Sequence, residues 1–488
     1  MSKGFLARLG LALGILGALP LIAQQTPGEF TIAALPDTQF YSKTNPQIFD
    51  AQTKWIADHA AQMNIQLVVG LGDIVDAGGK IYEWQNADIA YRSLDGKVPY
   101  VAAIGNHDYD ANNPAGRTSY AKNFNAYFGP ARYRGQSSYR GSYPAGSNEN
   151  FYSVFNFGGK NYLVLVLECF PRTSVLGWAS AVLRNNPDKD VILVTHAFTY
   201  ADSTRMDKCD GNSAASFGVA QDNDGEQVWE KFASKYPNIT MVLSGHVVEG
   251  DGTGHRTDIG VNGNLVNEML SDYQSWPNGG NGYLRLITVK PALNQVVVRT
   301  YSPYLNQWLT DSHNQFTVPF KNIGLRSGTA SMAGRVKGSG SCAGLPGVKV
   351  SNGVASTTTD ANGNFSLPAG GPSWYTLTTK GNSLIGLTQV ASVVPGYASP
   401  SKVIMAPRGV VSGTVTQKTM PLPSTKVTLN GGALRESLTV TTAANGSFSF
   451  GNVAIGTYKV TVYPVGSSAT WTATVNSNAV TYLNMNLP

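Results

Sequence analysis

Short apolar runs, each closed by polar residues that usually include a glycine, recur along the first 250 positions. Residues 30–36 (FTIAALP) lead into Asp37, Thr38 and Gln39. Residues 67–71 (LVVGL) lead into Gly72, Asp73 and, after two more residues, Asp76. Residues 100–104 (YVAAI) lead into Gly105, Asn106, His107 and Asp108. Residues 191–194 end in Thr195 and His196, and residues 240–243 in Ser244, Gly245 and His246. Runs this short and this rich in Val, Ile and Leu read as buried strands. Helical stretches lie between them. Pro46 opens one over 46–63, with Ile48, Trp55, Ile56 and Met63 able to share a face. Others are predicted over 80–93, 175–185 and 226–235. Residues 152–157 and 162–167 predict a hairpin around Gly158-Gly159. Beyond 250 the pattern turns to alternating β segments at 282–289 and 295–301. The expected fold class is therefore α/β: two sheets packed face to face, flanked by helices.

Two stretches interrupt this pattern. Residues 109–151 are rich in Gly, Asn and Ser, yet carry Tyr120, Phe124, Tyr127, Phe128, Tyr133, Tyr139 and Tyr143. That aromatic content argues against disorder, and the length predicts a packed lid or pocket wall beside the strand ends, serving either to stack on a base or sugar or as an ordinary hydrophobic flap. After about residue 324 the composition shifts to Gly, Ser, Thr and Val, and two units repeat. SMAGRVKG parallels GVVSGTVT, LPGVKVSNG parallels LPSTKVTLNG, and TTDANGNFSL parallels TTAANGSFSF. Short alternating strands with Asn-Gly turns (Asn362-Gly363, Asn445-Gly446) predict two small all-β sandwiches. They resemble carboxypeptidase regulatory-like modules of transthyretin-like fold, and their lack of clustered His or carboxylate assigns them no catalysis. The expected division is a leader over 1–23, a first domain over 28–322, and sandwiches over 328–407 and 408–488.

Composition refines this picture. At 488 residues the chain exceeds one core. Charged residues are 14%, against roughly 25% in typical domains. Lys3, Arg8 and an apolar stretch over 9–22 with Pro20 before Ala23 read as an export signal, which implies a periplasmic or extracellular address. No later apolar run is long enough to span a bilayer. Cys169, Cys209 and Cys342 cannot make a disulfide framework; one pair could bridge, and the sequence does not say which. The net charge of +6 is uneven: ten cationic side chains against Asp360 and Glu436 make the last 161 residues basic, and the first domain is acidic. Such a tail can meet an anionic envelope polymer or present a solvated surface. It holds no specific nucleic-acid motif.

The strand ends carry the chemistry. Asp37 with Gln39, Asp73 with Asp76, Asn106 with His107, then His196 and His246 bring carboxylate, amide and imidazole from five separate segments. That mixture is what a two-metal hydrolytic centre needs: a carboxylate can bridge two cations, imidazole suits Zn, Fe or Mn, and an amide oxygen suits a harder cation.

This order resembles the calcineurin-like metallophosphoesterase family, whose pattern is DxH, GDxxD, GNHD or GNHE, a single His, then GHxH. The chain reads DTQ, GDIVD, GNHD, THAF and GHVV. The resemblance implies a two-sheet metallophosphoesterase sandwich holding two divalent ions (Mn, Fe or Zn) that activate a bridging hydroxide. By position, Asp37 and Gln39 resemble ligands of the first ion and Asp73 the bridge. Asn106, His196 and His246 resemble ligands of the second. His107 resembles the acid that assists the leaving group, with Asp76 orienting it. The implied substrate is a small-molecule phosphate ester or nucleotide, monoester or diester. Two departures fall on the first ion. Gln39 stands where the family has His, and Val248 replaces the second His of GHxH. A DTQ-type branch is similar, including a later segment here read as Asp272, Tyr273 and Gln274. The first ion is expected to bind more weakly than the second, with Glu249 and His255 the nearest replacement donors in sequence. The alternative is a degenerate member acting as an envelope-attachment module.

Overall fold

The computed structural model describes residues 26–113, 121–219, 222–321, 330–338, 342–369, 373–380, 384–386, 389–393, 401–431, 437–454, 456–475 and 480–488. The leader lies outside the described residues, as does Tyr120.

Two seven-stranded sheets face each other across one apolar core. In the first, Phe30–Leu35, Ile65–Gly70 and Tyr100–Ala102 run parallel, in register Ala34 to Val69 to Val101. Leu284–Lys290 and Gln295–Ser302 extend it antiparallel. In the second, Lys160–Leu167, Asp190–Thr195, Ile239–Ser244 and Leu265–Ser271 run parallel. Antiparallel strands flank these: the hairpin partner Asn150–Phe157 and then the edge strand Tyr139–Tyr143 on one side, and Thr253–Ile259 on the other. The central strands are buried on both faces, which is why they read as unbroken apolar runs. Helices Pro46–His59 and Ile81–Arg92 accompany the first sheet, and Thr173–Arg184 and Gly225–Lys231 the second. The expected two-sheet fold is present.

The aromatic segment corrects the lid expectation. Tyr109, Phe124, Phe128 and Tyr133 are fully buried. Phe124 and Phe128 lie on the short helix Lys122–Phe128 and pack against Trp84 and Tyr91, while Tyr133 meets Tyr100. Tyr139 stacks on Tyr133 and Tyr143 on Trp178. The four buried rings close the core beside the first sheet and so are not available to stack on a substrate, while the half-buried Tyr139 and Tyr143 lie on the edge strand of the second sheet.

The C-terminal part has two separate apolar cores, one around Met332, Val336, Val350 and Leu367, the other around Val411, Val427, Val460 and Met485. One strand, Ser401–Gln417, runs through both. Its start pairs with Ala330–Gly338, and the rest with Ser447–Ala454 and Val480–Leu487. Gly363 and Gly446, in the two Asn-Gly turns, both have positive φ (82° and 73°), the conformation such turns require.

Cys209 of the first domain is bonded to Cys342 of the first sandwich across 133 residues, and Asp210 pairs with Lys337 beside it (3.4 Å). Cys169 is buried and outside the bridge. Alkylation of the denatured chain should therefore label one thiol without reductant and three after reduction. Intact-mass spectrometry reads the difference, and three labels without reductant would contradict the bridge.

Candidate metal centre

The site sits at the carboxyl ends of the parallel strands, where open sheets leave backbone and side chains free to converge. Asp37, Asp73 and Asn106 follow three neighbouring strands of the first sheet. His196 and His246 follow two neighbouring strands of the second. The motif glycines let them meet. A Cβ on Gly105 would fall on the Asp73 carboxylate, and one on Gly245 on Asp37 Oδ1. His246 itself has φ 77° and Asp73 φ 45°, conformations that cost energy in a side-chain-bearing residue and concentrate at functional sites.

His196 Nε2 is the hub. It lies 3.1 Å from Asn106 Oδ1, 3.2 Å from His246 Nδ1 and 3.3 Å from Asp73 Oδ2. The ligand atoms of Asp73, His196 and His246 all lie within 4.8 Å of one another. The other ring nitrogens are taken. His196 Nδ1 faces the Leu71 carbonyl at 2.8 Å, and His246 Nε2 faces the Asn212 carbonyl at 2.8 Å. A carbonyl only accepts, so His196 Nδ1 and His246 Nε2 carry protons, and once His196 gives up its second proton the lone pairs of His196 Nε2 and His246 Nδ1 face each other. Two imidazole lone pairs, an amide oxygen and a carboxylate oxygen directed at one point repel unless a cation, either a metal ion or the second proton of His196, sits among them. The donor set fits a divalent metal ion.

The acid–base balance has the same origin. Burial works against a proton on His196, but the Asp73 and Asp37 carboxylates outweigh it and raise the group to about 10. Burial and the neighbouring His196 push His246 down to about 4. Burial and the nearby Asp272 carboxylate push Asp37 well above the usual range. In the protein without metal, His196 takes the place of a cation among these carboxylates.

The first position is built differently. The Asp37 carboxylate accepts from the His246 backbone N–H (3.1 Å to Oδ2) and lies 4.0 Å from His196 Nε2. Gln39 is buried beside it, on the first turn of Gln39–Thr44, a helix too short to be seen in the periodicity. Neither proposed replacement for Val248 joins the group. His255 stacks on Phe316, and Glu249 accepts from Asn212 Nδ2 at 3.2 Å. Glu249 therefore supports the loop whose carbonyl orients His246.

His107 is held by its backbone N–H to Asp73 Oδ1 (2.9 Å), and its side chain is about a third exposed. Its Nδ1 meets the backbone carbonyl of Asp76 at 2.7 Å. The orienting role expected of Asp76 falls to its main chain; its carboxylate pairs with Lys43 at 2.6 Å. Asp108 has a structural task. It is fully buried and accepts from the Val75 and Gly105 backbone N–H groups (3.0 and 2.8 Å), joining the two motif turns.

Buried donors at the ends of parallel strands in facing sheets form a candidate centre for a divalent ion. Residues 30–250 match the calcineurin-like phosphoesterase family, and residues 410–488 match the carboxypeptidase regulatory-like domain. Residues 30–250 are thus similar to a calcineurin-like phosphoesterase domain, and residues 410–488 to one regulatory-like β module. The uncharacterized protein YvnB of Bacillus subtilis (strain 168) is 34% identical over 299 residues, which make up 58% of this chain and 21% of that protein. The chain thus spans about a fifth of the length of that curated relative. Among solved structures, purple acid phosphatase PPD1 from yellow lupin seeds is 15% identical with a TM-score of 0.38, covering 60% of this chain and 55% of that one. GAP50, the anchor in the inner membrane complex of Plasmodium, is 14% identical with a TM-score of 0.34, covering 60% and 89%. Among the described residues no helix is long and apolar enough to cross a membrane.

Two measurements test the centre. Mn2+ at about 100 times its dissociation constant should raise stability by about 2.7 kcal/mol over the chelated protein, read as a melting shift; no shift would argue against a cation at the carboxylates. The loop bearing Asn212 is tied down by the adjacent Cys209, so Cys342→Ser should weaken Mn2+ binding about tenfold, the low end for loss of outer support. Competition with a chromophoric chelator measures it.

Proposed function

We propose that this chain is an exported metal-dependent phosphoesterase that cleaves a phosphomonoester or phosphodiester bond of a small molecule or nucleotide. The observation that carries the reading is the convergence of Asp73, Asn106, His196 and His246 on one point, with the partly exposed His107 beside them. Those four residues would hold one ion, and Asp37, Gln39 and the shared Asp73 the other. Bound divalent ions lower the pKa of water and offset the charge of the phosphoryl oxygens. The chain's own part is to fix the donors and to hold a proton at the leaving side. With Nδ1 on the Asp76 carbonyl, His107 presents Nε2 away from the backbone. Burial works against its proton, but the Asp73 charge, the Asp76 carbonyl and the Asp76 and Asp108 carboxylates together outweigh it, raising His107 above the ordinary range. An imidazolium there can protonate a departing alkoxide.

Export is supported by the basic, apolar N-terminal sequence and by the Cys209–Cys342 bridge, since disulfides persist mainly in oxidising compartments. The basic modules are read as attachments to an anionic envelope polymer. One observation favours the alternative of a degenerate attachment protein: Val248 offers no donor where the family has an imidazole.

Turnover of p-nitrophenyl phosphate and bis-p-nitrophenyl phosphate by protein loaded with Mn, Fe or Zn separates the two readings. His107→Ala should lower the rate by about 10²–10⁴ with the metal content unchanged. An unaltered rate would remove His107 from the chemistry, and no phosphate release by the wild type under any of the three metals would favour the attachment protein.

A further inference from the structure

Val248 stands in the sequence where the resemblance expects an imidazole for the first ion, and around Asp37 the structure places amides, Gln274 and, bonded to it, Gln39. Asp272 and Gln274 follow the strand Leu265–Ser271. Asp272 is fully buried, and its carboxylate accepts from both the backbone N–H and the side-chain Nε2 of Gln274, each at 2.9 Å. The same Nε2 lies 3.4 Å from Asp37 Oδ2. Two carboxylates thus determine which end of the Gln274 amide faces them, because a carboxylate accepts and only the NH2 end donates. Gln274 Oε1 is thereby turned outward, and it accepts from Gln39 Nε2. That bond in turn fixes Gln39. Reversing Gln39 alone would set two carbonyl oxygens against each other. Reversing both amides would set the Gln274 oxygen against two carboxylates. What remains is Gln39 Oε1, an acceptor that is buried and has no hydrogen-bond partner. Gln39 as a whole is 2% exposed. A buried acceptor left empty is costly unless a cation takes its lone pair.

We propose that Asp272 and Gln274 are positioning residues that lock the Gln39 amide so that its carbonyl oxygen is a ligand of the ion held by Asp37 and Asp73. This deepens the metal-centre reading and rests on it. The chain replaces two family imidazoles with one oriented amide oxygen. Oxygen donors without imidazole select a harder ion, so the first position is expected to take Mn2+ or Mg2+ in preference to Zn2+.

The full chain, reconstituted with Mn2+, is assayed by elemental analysis and by electron paramagnetic resonance. Wild type should hold two ions per chain with a spin-coupled signal. Gln274→Leu and Gln39→Leu should each hold one ion, with an uncoupled signal and at least a tenfold weaker second binding step. Asp272→Asn should weaken the same step, since its amide can no longer impose one orientation. Metal-free variants that melt with the metal-free wild type show that the fold is intact; should Gln274→Leu not fold, Asp272→Asn carries the test. Two coupled ions in Gln274→Leu would overturn the proposal. So would loss of the ion in Gln274→Leu but not in Gln39→Leu, which would make Gln274 itself the ligand. A wild type that holds one ion yet turns over substrate overturns the proposal and leaves the phosphoesterase reading standing. Two coupled ions with no turnover does the reverse.

Discussion

The centre depends on two hydrogen bonds that no side chain makes alone: His196 to the Leu71 carbonyl and His246 to the Asn212 carbonyl. Each accepts the proton of one ring nitrogen, so that in the neutral ring the other nitrogen is a lone pair. Without them either ring could turn a donor N–H toward its neighbours, and the pair could satisfy itself. With them, two nitrogens and two oxygens face one another within about the separation that ligands of one ion share. In a buried site that repulsion is large, and a shared cation reverses its sign.

The two sheets contribute unlike chemistry. The first supplies Asp37, Asp73 and Asn106, all oxygen donors, and the second supplies both imidazoles. Neither sheet alone would bind much: oxygen donors without imidazole suit a hard ion, and two imidazoles without a carboxylate lack charge. The centre exists where the sheets meet, so the apolar packing of Val69, Val101, Val194 and Leu243 between them is also what sets the geometry of the donors. The close glycine approaches at Gly105 and Gly245 belong to the same constraint, because they let the strand-end turns come near enough for oxygen and nitrogen to share one point.

Much of this could be read from the sequence, and what could not has physical causes. The central strands were legible because burial on both faces makes them uniformly apolar, and the donors were legible because polar residues stop those runs abruptly. Thr253–Ile259 and Leu265–Ser271 were missed. Their strands bury Asp258 and Glu268, which pair with Arg205 and Arg256, so charge hides the apolar pattern. The aromatic segment was misjudged because composition says that rings will pack, not which side they pack on. Leu71, Asn212 and the main chain of Asp76 act through carbonyl oxygens, which every residue carries, so no side chain announces them. Three cysteines leave the pairing open until the chain is folded, and Cys209 with Cys342 is resolved by proximity alone.

That pairing gives the first sandwich a place in the chemistry although it holds no site of its own. Asn212, three residues after Cys209, occupies His246 Nε2, and Phe217 further along packs its ring 5.7 Å from the same imidazole. Glu249 grips Asn212 from the strand-end side. From the other side the loop is held by the Cys209–Cys342 bond and the Asp210–Lys337 pair, both to the sandwich. A long surface loop would ordinarily be a poor support for a metal ligand, since loops open locally at little cost. Here a covalent bond to an independently cored module removes much of that freedom. The module therefore stiffens the outer support of His246 whatever else its surface binds, and the two-sheet domain and the sandwich are joined close to the residue where rigidity matters most.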